Sequence, residues 1–114
     1  KLILNISSGA AKHAIASWST YCSSKSAIDS ITNVINVENH NKLEVFCVHP
    51  GIVDTRMQKN IRDANPNEFP LHQKFIDYYQ KNELFSTNDV SIKIMKIIEN
   101  PERFSSKTID IRDL

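Results

Sequence analysis

Two short apolar runs limit what this chain can fold into. "LILNI" at Leu2–Ile6 is rich in branched residues and lacks polar alternation, which reads as a buried strand of a parallel sheet. "EVFCVHPG" at Glu44–Gly51 reads as a second strand running into a Pro-Gly turn. Between them, from about Thr20 to Glu38, Ala27, Ile31, Val34 and Ile35 recur at helical spacing, with Ser24, Asp29 and Asn33 on other faces. "HNKL" ends that helix, and Ser7-Ser8-Gly9 stops the first strand, leaving residues 9–19 as a loop.

Beyond Gly51 the alternation continues. Asp54 or Thr55 caps a short helix through Asp63, with Met57 and Ile61 as its apolar pair. "NPNEFP" is a loop ended by Pro70. Leu71–Lys81 forms a helix whose apolar face is Leu71, Phe75 and Tyr78/Tyr79. "STND" supplies an N-cap with an acidic residue three positions on, ahead of a helix at Val90–Glu99 striped by Val90, Ile94, Ile97 and Ile98. "NPERFSS" breaks it and "KTIDI" closes the chain as a third strand. Strands alternating with helices predict α/β architecture: a parallel sheet of three strands with about four helices. The first strand is expected to be an open apolar edge unless something pairs with it.

Bulk properties exclude several classes. The 114 residues suffice for one small domain, and the net charge of +1 is evenly interspersed, with no basic stripe for nucleic acid or an anionic membrane. No apolar run approaches the roughly 18 residues of a membrane span. Cys22 and Cys47 match no metal-ligand spacing and suit a reducing, intracellular setting. His13, His40, His49 and His72 are scattered singly, so no metal site is expected. The chain begins at Lys1 and holds two glycines, Gly9 and Gly51, too few for a phosphate-cradling loop, so it reads as a piece of a larger domain.

The chemistry concentrates in "SSGAAKHAIASWSTYCSSK". Tyr21 and Lys25 are four residues apart, hence one turn apart on one helix face, and Ser8 precedes the tyrosine by thirteen residues at a strand end. An ammonium near a phenol stabilises its phenolate. Such a phenol can pass a proton to a carbonyl oxygen, and a hydroxyl donor at the strand end can hold the same oxygen. Tyr-x-x-x-Lys by itself occurs widely and reads as an exposed tyrosine beside a solvated lysine. The order is what matters: strand, serine, loop, Tyr-x-x-x-Lys helix, strand, then "HPGIVDT".

In that order and spacing, "LNISSGAA", "YCSSK" and "HPGIVDTRM" resemble the short-chain dehydrogenase/reductase family, aligned to the C-terminal half of a member. The resemblance implies the C-terminal portion of a Rossmann-type doubly wound sheet, so residues 1–114 are a partial catalytic and substrate domain. It implies that Ser8 orients the carbonyl, that Tyr21 donates the proton, and that Lys25 tunes the tyrosine and holds the nicotinamide ribose. Ser7 is the alternative to Ser8. Pro50, Gly51, Ile52 and Val53 match the turn that packs on the nicotinamide, and Thr55 the hydroxyl near its carboxamide or phosphates. An ordinary strand-to-helix turn is the plain reading of Pro50-Gly51.

"GAAKHAIASWSTYCSSKSAID", "GIVDTRMQKNIRD" and "FSSKTIDIRDL" look like the sepiapterin reductase branch, especially fungal benzil-reductase-type members. That likeness implies NADPH-dependent reduction of a ketone or dicarbonyl, with NAD as the other cofactor. Trp18 would sit at the substrate mouth under a lid of residues 64–86, or else simply pack. Asp113 falls near a pterin-anchoring aspartate of sepiapterin reductase, but an ordinary surface aspartate is the preferred reading. The family's glycine-rich loop, its Asn-Ala-Gly segment and the preceding helix's asparagine are not in this sequence, and Ser106 stands where relatives often have glycine. The expectation is therefore a cytoplasmic carbonyl reductase, homodimeric at full length, with no nucleic-acid, membrane or metal partner. The 114 residues alone are expected to be inactive, and the alternative is an inert truncated product or association module.

Overall fold

In the computed structural model, which describes residues 1–38 and 43–114, three strands form one parallel sheet. They are β1 (Leu2–Ile6), β2 (Glu44–His49) and β3 (Thr108–Asp110), lying in the order β1-β2-β3. β1 runs beside β2 from Leu2↔Glu44 to Ile6↔Val48, and β2 beside β3 from Cys47↔Thr108 to His49↔Asp110. Four helices connect them: α1 (Ser19–Glu38), α2 (Arg56–Arg62), α3 (His72–Gln80) and α4 (Thr87–Glu99). This is the α/β arrangement the sequence predicts. The expected helix stop at 40–42 lies outside the described residues. Among the described residues no helix is long and apolar enough to cross a membrane.

β2 is the central strand, and its Val45, Phe46, Cys47 and Val48 side chains are fully buried. Pleating sends alternate residues to opposite faces. On one face Phe46 and Val48 join Val90, Ile97, Ile109 and Ile111, with Leu2, Leu4, Val53, Phe85, Ile94 and Phe104 packed around them. Fully burying each such side chain is worth roughly 1.5–3 kcal/mol. α4 reaches this core through its cap. Ser86 Oγ accepts from Asp89 N at 3.0 Å and donates to Asp89 Oδ2 at 2.7 Å, so the helix begins at Thr87, three residues ahead of the expected Val90. Ile98, read as part of the stripe, is instead 41% exposed.

The other face overturns the expected orientation of α1. Ile31 and Val34, read as its core stripe, are 55% and 50% exposed, and the buried residue of the helix is Thr32. The side facing the sheet is polar. Asn5 Nδ2 donates to Thr32 Oγ1 at 2.8 Å, and Asn36 Nδ2 donates to the Val45 carbonyl at 2.9 Å. Asp29, read onto another face, turns inward to Cys47 and His49.

Smaller departures have local causes. Met57 of α2 faces out while Gln58 turns in. Tyr79 of α3 lies at the surface under the Arg62 guanidinium, 4.2 Å from the ring centroid. β3 ends at Asp110, because Asp110 Oδ1 accepts from Arg112 N at 2.9 Å and winds Ile111–Asp113 into a 3-10 turn. Ser106 closes the turn before β3 by donating to the Thr108 carbonyl at 2.7 Å. Ile3 and Ile6 of β1 are exposed, as expected of an apolar edge strand.

Candidate active site

The C-terminal ends of β1 and β2 hold the polar groups singled out in the sequence. Ser7 continues the β1 ladder by donating its N–H to the Val48 carbonyl at 2.8 Å. Its buried hydroxyl donates to the Lys25 carbonyl at 3.2 Å. Ser8 then turns the chain: its Oγ accepts from Ala10 N at 3.2 Å and caps the 3-10 turn Gly9–Ala11. The Ser7 hydroxyl hydrogen is thus engaged within the fold. The Ser8 oxygen acts as an acceptor there, which leaves its hydrogen available to an incoming oxygen.

Tyr21 and Lys25 sit in the first two turns of α1, as their spacing requires. Lys25 Nζ donates to the Ile6 carbonyl at 2.9 Å and lies 5.7 Å from the Tyr21 ring centroid. One hydrogen bond therefore fixes the ammonium at the end of β1 and beside the phenol. Among the described residues the Tyr21 hydroxyl has no hydrogen-bond partner and Ser8 does not bond to it, so the two groups share a strand end without touching.

The Pro50–Thr55 turn follows β2. Gly51 has φ +75°, which side chains other than glycine adopt only with strain. A Cβ there would also stand 3.1 Å from the Phe85 ring. Phe85 N donates to the Ile52 carbonyl at 2.8 Å, Asp54 N donates to the Phe85 carbonyl at 2.9 Å, and Val53 bridges Phe85 in parallel. Thr55 precedes α2 as its N-cap without a side-chain cap bond, so its hydroxyl is uncommitted to the helix.

Trp18 joins the two halves of the site. Its ring meets Tyr21 edge-on at 5.3 Å, stacks on Phe69 at 5.3 Å with 8° between planes, and touches Phe75 at 5.5 Å. Phe69 and Phe75 are buried, and the residue before the tryptophan, Ser17, adopts φ 70° and donates its hydroxyl to the Glu68 carbonyl at 3.0 Å. Phe69 and Phe75 of segment 64–86 therefore lie against Trp18, and the tryptophan both packs and borders Tyr21. Asp113 is exposed and shares a surface pocket with Arg103, Phe104 and Leu114, apart from the tyrosine.

Beneath this site lies a polar cluster that sequence spacing did not expose. His49 Nε2 is 3.0 and 3.1 Å from the two Asp29 oxygens, and Cys47 Sγ is 3.1 Å from Asp29 Oδ1. Burial pushes the Asp29 carboxyl up, but hydrogen bonds from Ser7, Cys47 and His49 outweigh it and hold it below the usual carboxylate value. Burial, reinforced by the Asp29 carboxylate, pushes the Cys47 thiol up to about 11. The signal was the i, i+2 pair Cys47/His49, which shares one strand face; the missing knowledge was that Asp29 faces it. The Trp18–Phe69 stack had no such signal, since 51 positions separate the two residues.

Comparison with known proteins identifies the family of the chain. The model of the short chain dehydrogenase family matches residues 2–66. A benzil reductase ((S)-benzoin forming) from Bacillus cereus is 31% identical over 105 residues, covering 90% of this chain and 42% of that protein. Rat sepiapterin reductase is 26% identical across 100% of this chain and 43% of its own length. In fold, a short-chain dehydrogenase/reductase structure from Saccharomyces cerevisiae superposes with TM-score 0.83 at 24% identity, covering 96% of this chain and 45% of that one. The chain thus spans less than half the length of the relatives it matches. Its family model, its relatives and its fold agree: the chain belongs to the short-chain dehydrogenases, a family of oxidoreductases.

Proposed function

We propose that the full-length protein is an NADPH-dependent carbonyl reductase acting on a ketone or dicarbonyl compound, with Tyr21 as proton donor. The observation that carries this reading is Lys25, whose ammonium is fixed to the Ile6 carbonyl beside the Tyr21 ring. NADPH, when bound, supplies the hydride. The residues present suit its nicotinamide end: Lys25 keeps two N–H donors beyond the one given to Ile6, and Tyr21 has a free hydroxyl, a donor set fitted to a ribose diol. Pro50, Gly51, Ile52 and Val53 would pack against the ring, with Thr55 donating nearby. Ser8 donates a hydrogen bond to the carbonyl oxygen, and Tyr21 delivers the proton that turns that oxygen into a hydroxyl. Lys25 stabilises the phenolate left behind. NADH would serve the same residues.

Trp18, half-buried beside Tyr21, favours an aromatic substrate, since rings stack on rings. The benzil reductase relative makes benzil the first compound to try. The test is NADPH consumption by the full-length protein with benzil and with a simple ketone. Tyr21→Phe should lower the rate by about 10²-fold or more while NADPH still binds. An intact protein that binds NADPH, reduces no carbonyl and is unaffected by Tyr21→Phe would sink the reading. The free thiols Cys22 and Cys47 support a reducing compartment, the cytoplasm.

A second reading, an inert association module, is favoured by the outer face of α1. Ile31, Val34 and Val37 stand exposed there, Val37 at 83%. The same face suits homodimerisation of the full-length enzyme. Upstream coding sequence separates the two: an in-frame glycine-rich strand-helix unit before Lys1 removes the reason for an inert product.

A further inference from the structure

We propose that Asp29, Cys47 and His49 form a zinc-binding site that ties helix α1 to the end of strand β2. It stands apart from the reductase reading and does not depend on it. Among the described residues these three offer one carboxylate oxygen, one sulfur and one ring nitrogen, all within 4.8 Å of one another. Cys47 and His49 are two apart on β2 and therefore face the same side, and α1 lays Asp29 over them. Cys47 and His49 are buried, and the Asp29 side chain, 16% exposed, gives the path to solvent.

The donor set selects the metal. Magnesium and calcium take oxygen ligands, whereas sulfur plus imidazole plus carboxylate suits a borderline-soft cation such as zinc. Zinc bonds of about 2.0–2.3 Å place tetrahedral ligands roughly 3.3–3.6 Å apart. The observed separations from Asp29 are 3.0 and 3.1 Å, so those two gaps need to widen by a few tenths of an ångström, while Cys47 Sγ and His49 Nε2, within 4.8 Å of one another, settle to the same range. His49 already turns Nε2 toward the centre of the group.

Charge balance argues the same way. On binding, the Cys47 thiol loses its proton to solvent and its sulfur forms the bond to zinc. Thiolate and carboxylate then neutralise the two positive charges, with His49 neutral, so no net charge is left beside buried β2. The fourth position belongs to a water entering along the Asp29 side of the site. Because Asp29 is one turn beyond Lys25 and His49 adjoins Pro50, bound metal would brace the helix carrying Tyr21 against the strand that leads into the Gly51 turn.

The experiment is a cobalt(II) titration of the full-length protein, stripped of metal and kept reduced with a phosphine. The expected result is a thiolate-to-cobalt charge-transfer band with tetrahedral d–d bands, saturating at one per chain and bleached by zinc. Cys47→Ser should abolish the charge-transfer band, Asp29→Asn should weaken binding about tenfold or more, and Cys22→Ser should change neither. Circular dichroism establishes that each variant is folded. A folded wild-type protein without the band, or a band that survives Cys47→Ser or vanishes in Cys22→Ser, would overturn the proposal. Should Cys47→Ser fail to fold, wild-type melting decides: zinc raises the midpoint if the site exists, and an unchanged midpoint rules it out.

Discussion

The two faces of the sheet are held by different chemistry. Toward α4, Phe46, Val48, Ile109 and Ile111 meet Val90 and Ile97 in one apolar cluster. Toward α1, the contacts are Asn5 to Thr32, Asn36 to the Val45 carbonyl, His49 and Cys47 to Asp29, and Lys25 to the Ile6 carbonyl. Apolar burial is non-directional and tolerates small slips. Hydrogen bonds between named partners fix a helix in rotation and in register. The face toward α4 is hydrocarbon, and the face toward α1, which carries Tyr21 and Lys25, sets donors and acceptors beside the buried Val45 side chain.

That difference can be broken experimentally, starting from the apolar side. Phe46→Ala should cost about 3–5 kcal/mol, read as a lower denaturant midpoint, because a fully buried ring would leave a cavity. On the reductase reading, turnover per folded molecule should stay near that of the unaltered protein. On the polar side Thr32→Val should cost less, about 1–3 kcal/mol, by leaving Asn5 Nδ2 without its acceptor in the interior. Here turnover should fall further than stability does, since α1 loses one of its register pins. Equal loss of turnover in both variants would mean that the faces are not functionally distinct.

Smaller effects sharpen the picture at the turn. Gly51→Ala should cost about 1–2 kcal/mol from its left-handed backbone alone, and displacement of the Phe85 ring should weaken cofactor binding in a titration. The smallest concerns acid. The Arg112 guanidinium holds the Asp110 carboxyl below its usual value. A carboxylate with a depressed folded-state value contributes stability that is complete above its unfolded value near 3.9 and is lost as pH falls through the folded one. Arg112→Ala should therefore flatten the acid limb of melting temperature against pH while changing stability at neutral pH by less than about 1 kcal/mol, as the guanidinium side of the pair is mostly exposed.

Much of this was legible in the sequence, and the exceptions share a cause. β1 and β2 follow from their apolar runs, α3 differs from its expected bounds by one residue at each end, and the Ser86–Asp89 cap was visible as "STND". The Ser8, Tyr21 and Lys25 positions follow from order and spacing along the chain. The orientation of α1 did not. Its isoleucines and valines form a helical stripe, and the rule that such a stripe faces the core chose the wrong side. Thr32 and Asn36 look like surface residues until Asn5 and the Val45 carbonyl are known to lie opposite them. Polar packing depends on pairs far apart in sequence, and periodicity carries no information about pairs. The same limit hid Asp29 from Cys47 and His49, and Trp18 from Phe69.

The bridge between Val53 and Phe85 has a practical consequence. It brings the two ends of segment 54–84 together at the rim of the sheet, so that stretch leaves and returns at one doorway. A closed excursion of this kind behaves as an exchangeable cassette. Lengthening it or replacing it with another sequence adds little closure entropy and leaves the strands untouched. On the reductase reading, grafting alternative cassettes between these two residues is a direct way to retune which molecules reach Tyr21, provided that Thr55 is kept and that Phe69 or a substitute still supplies a ring for Trp18 to lie against.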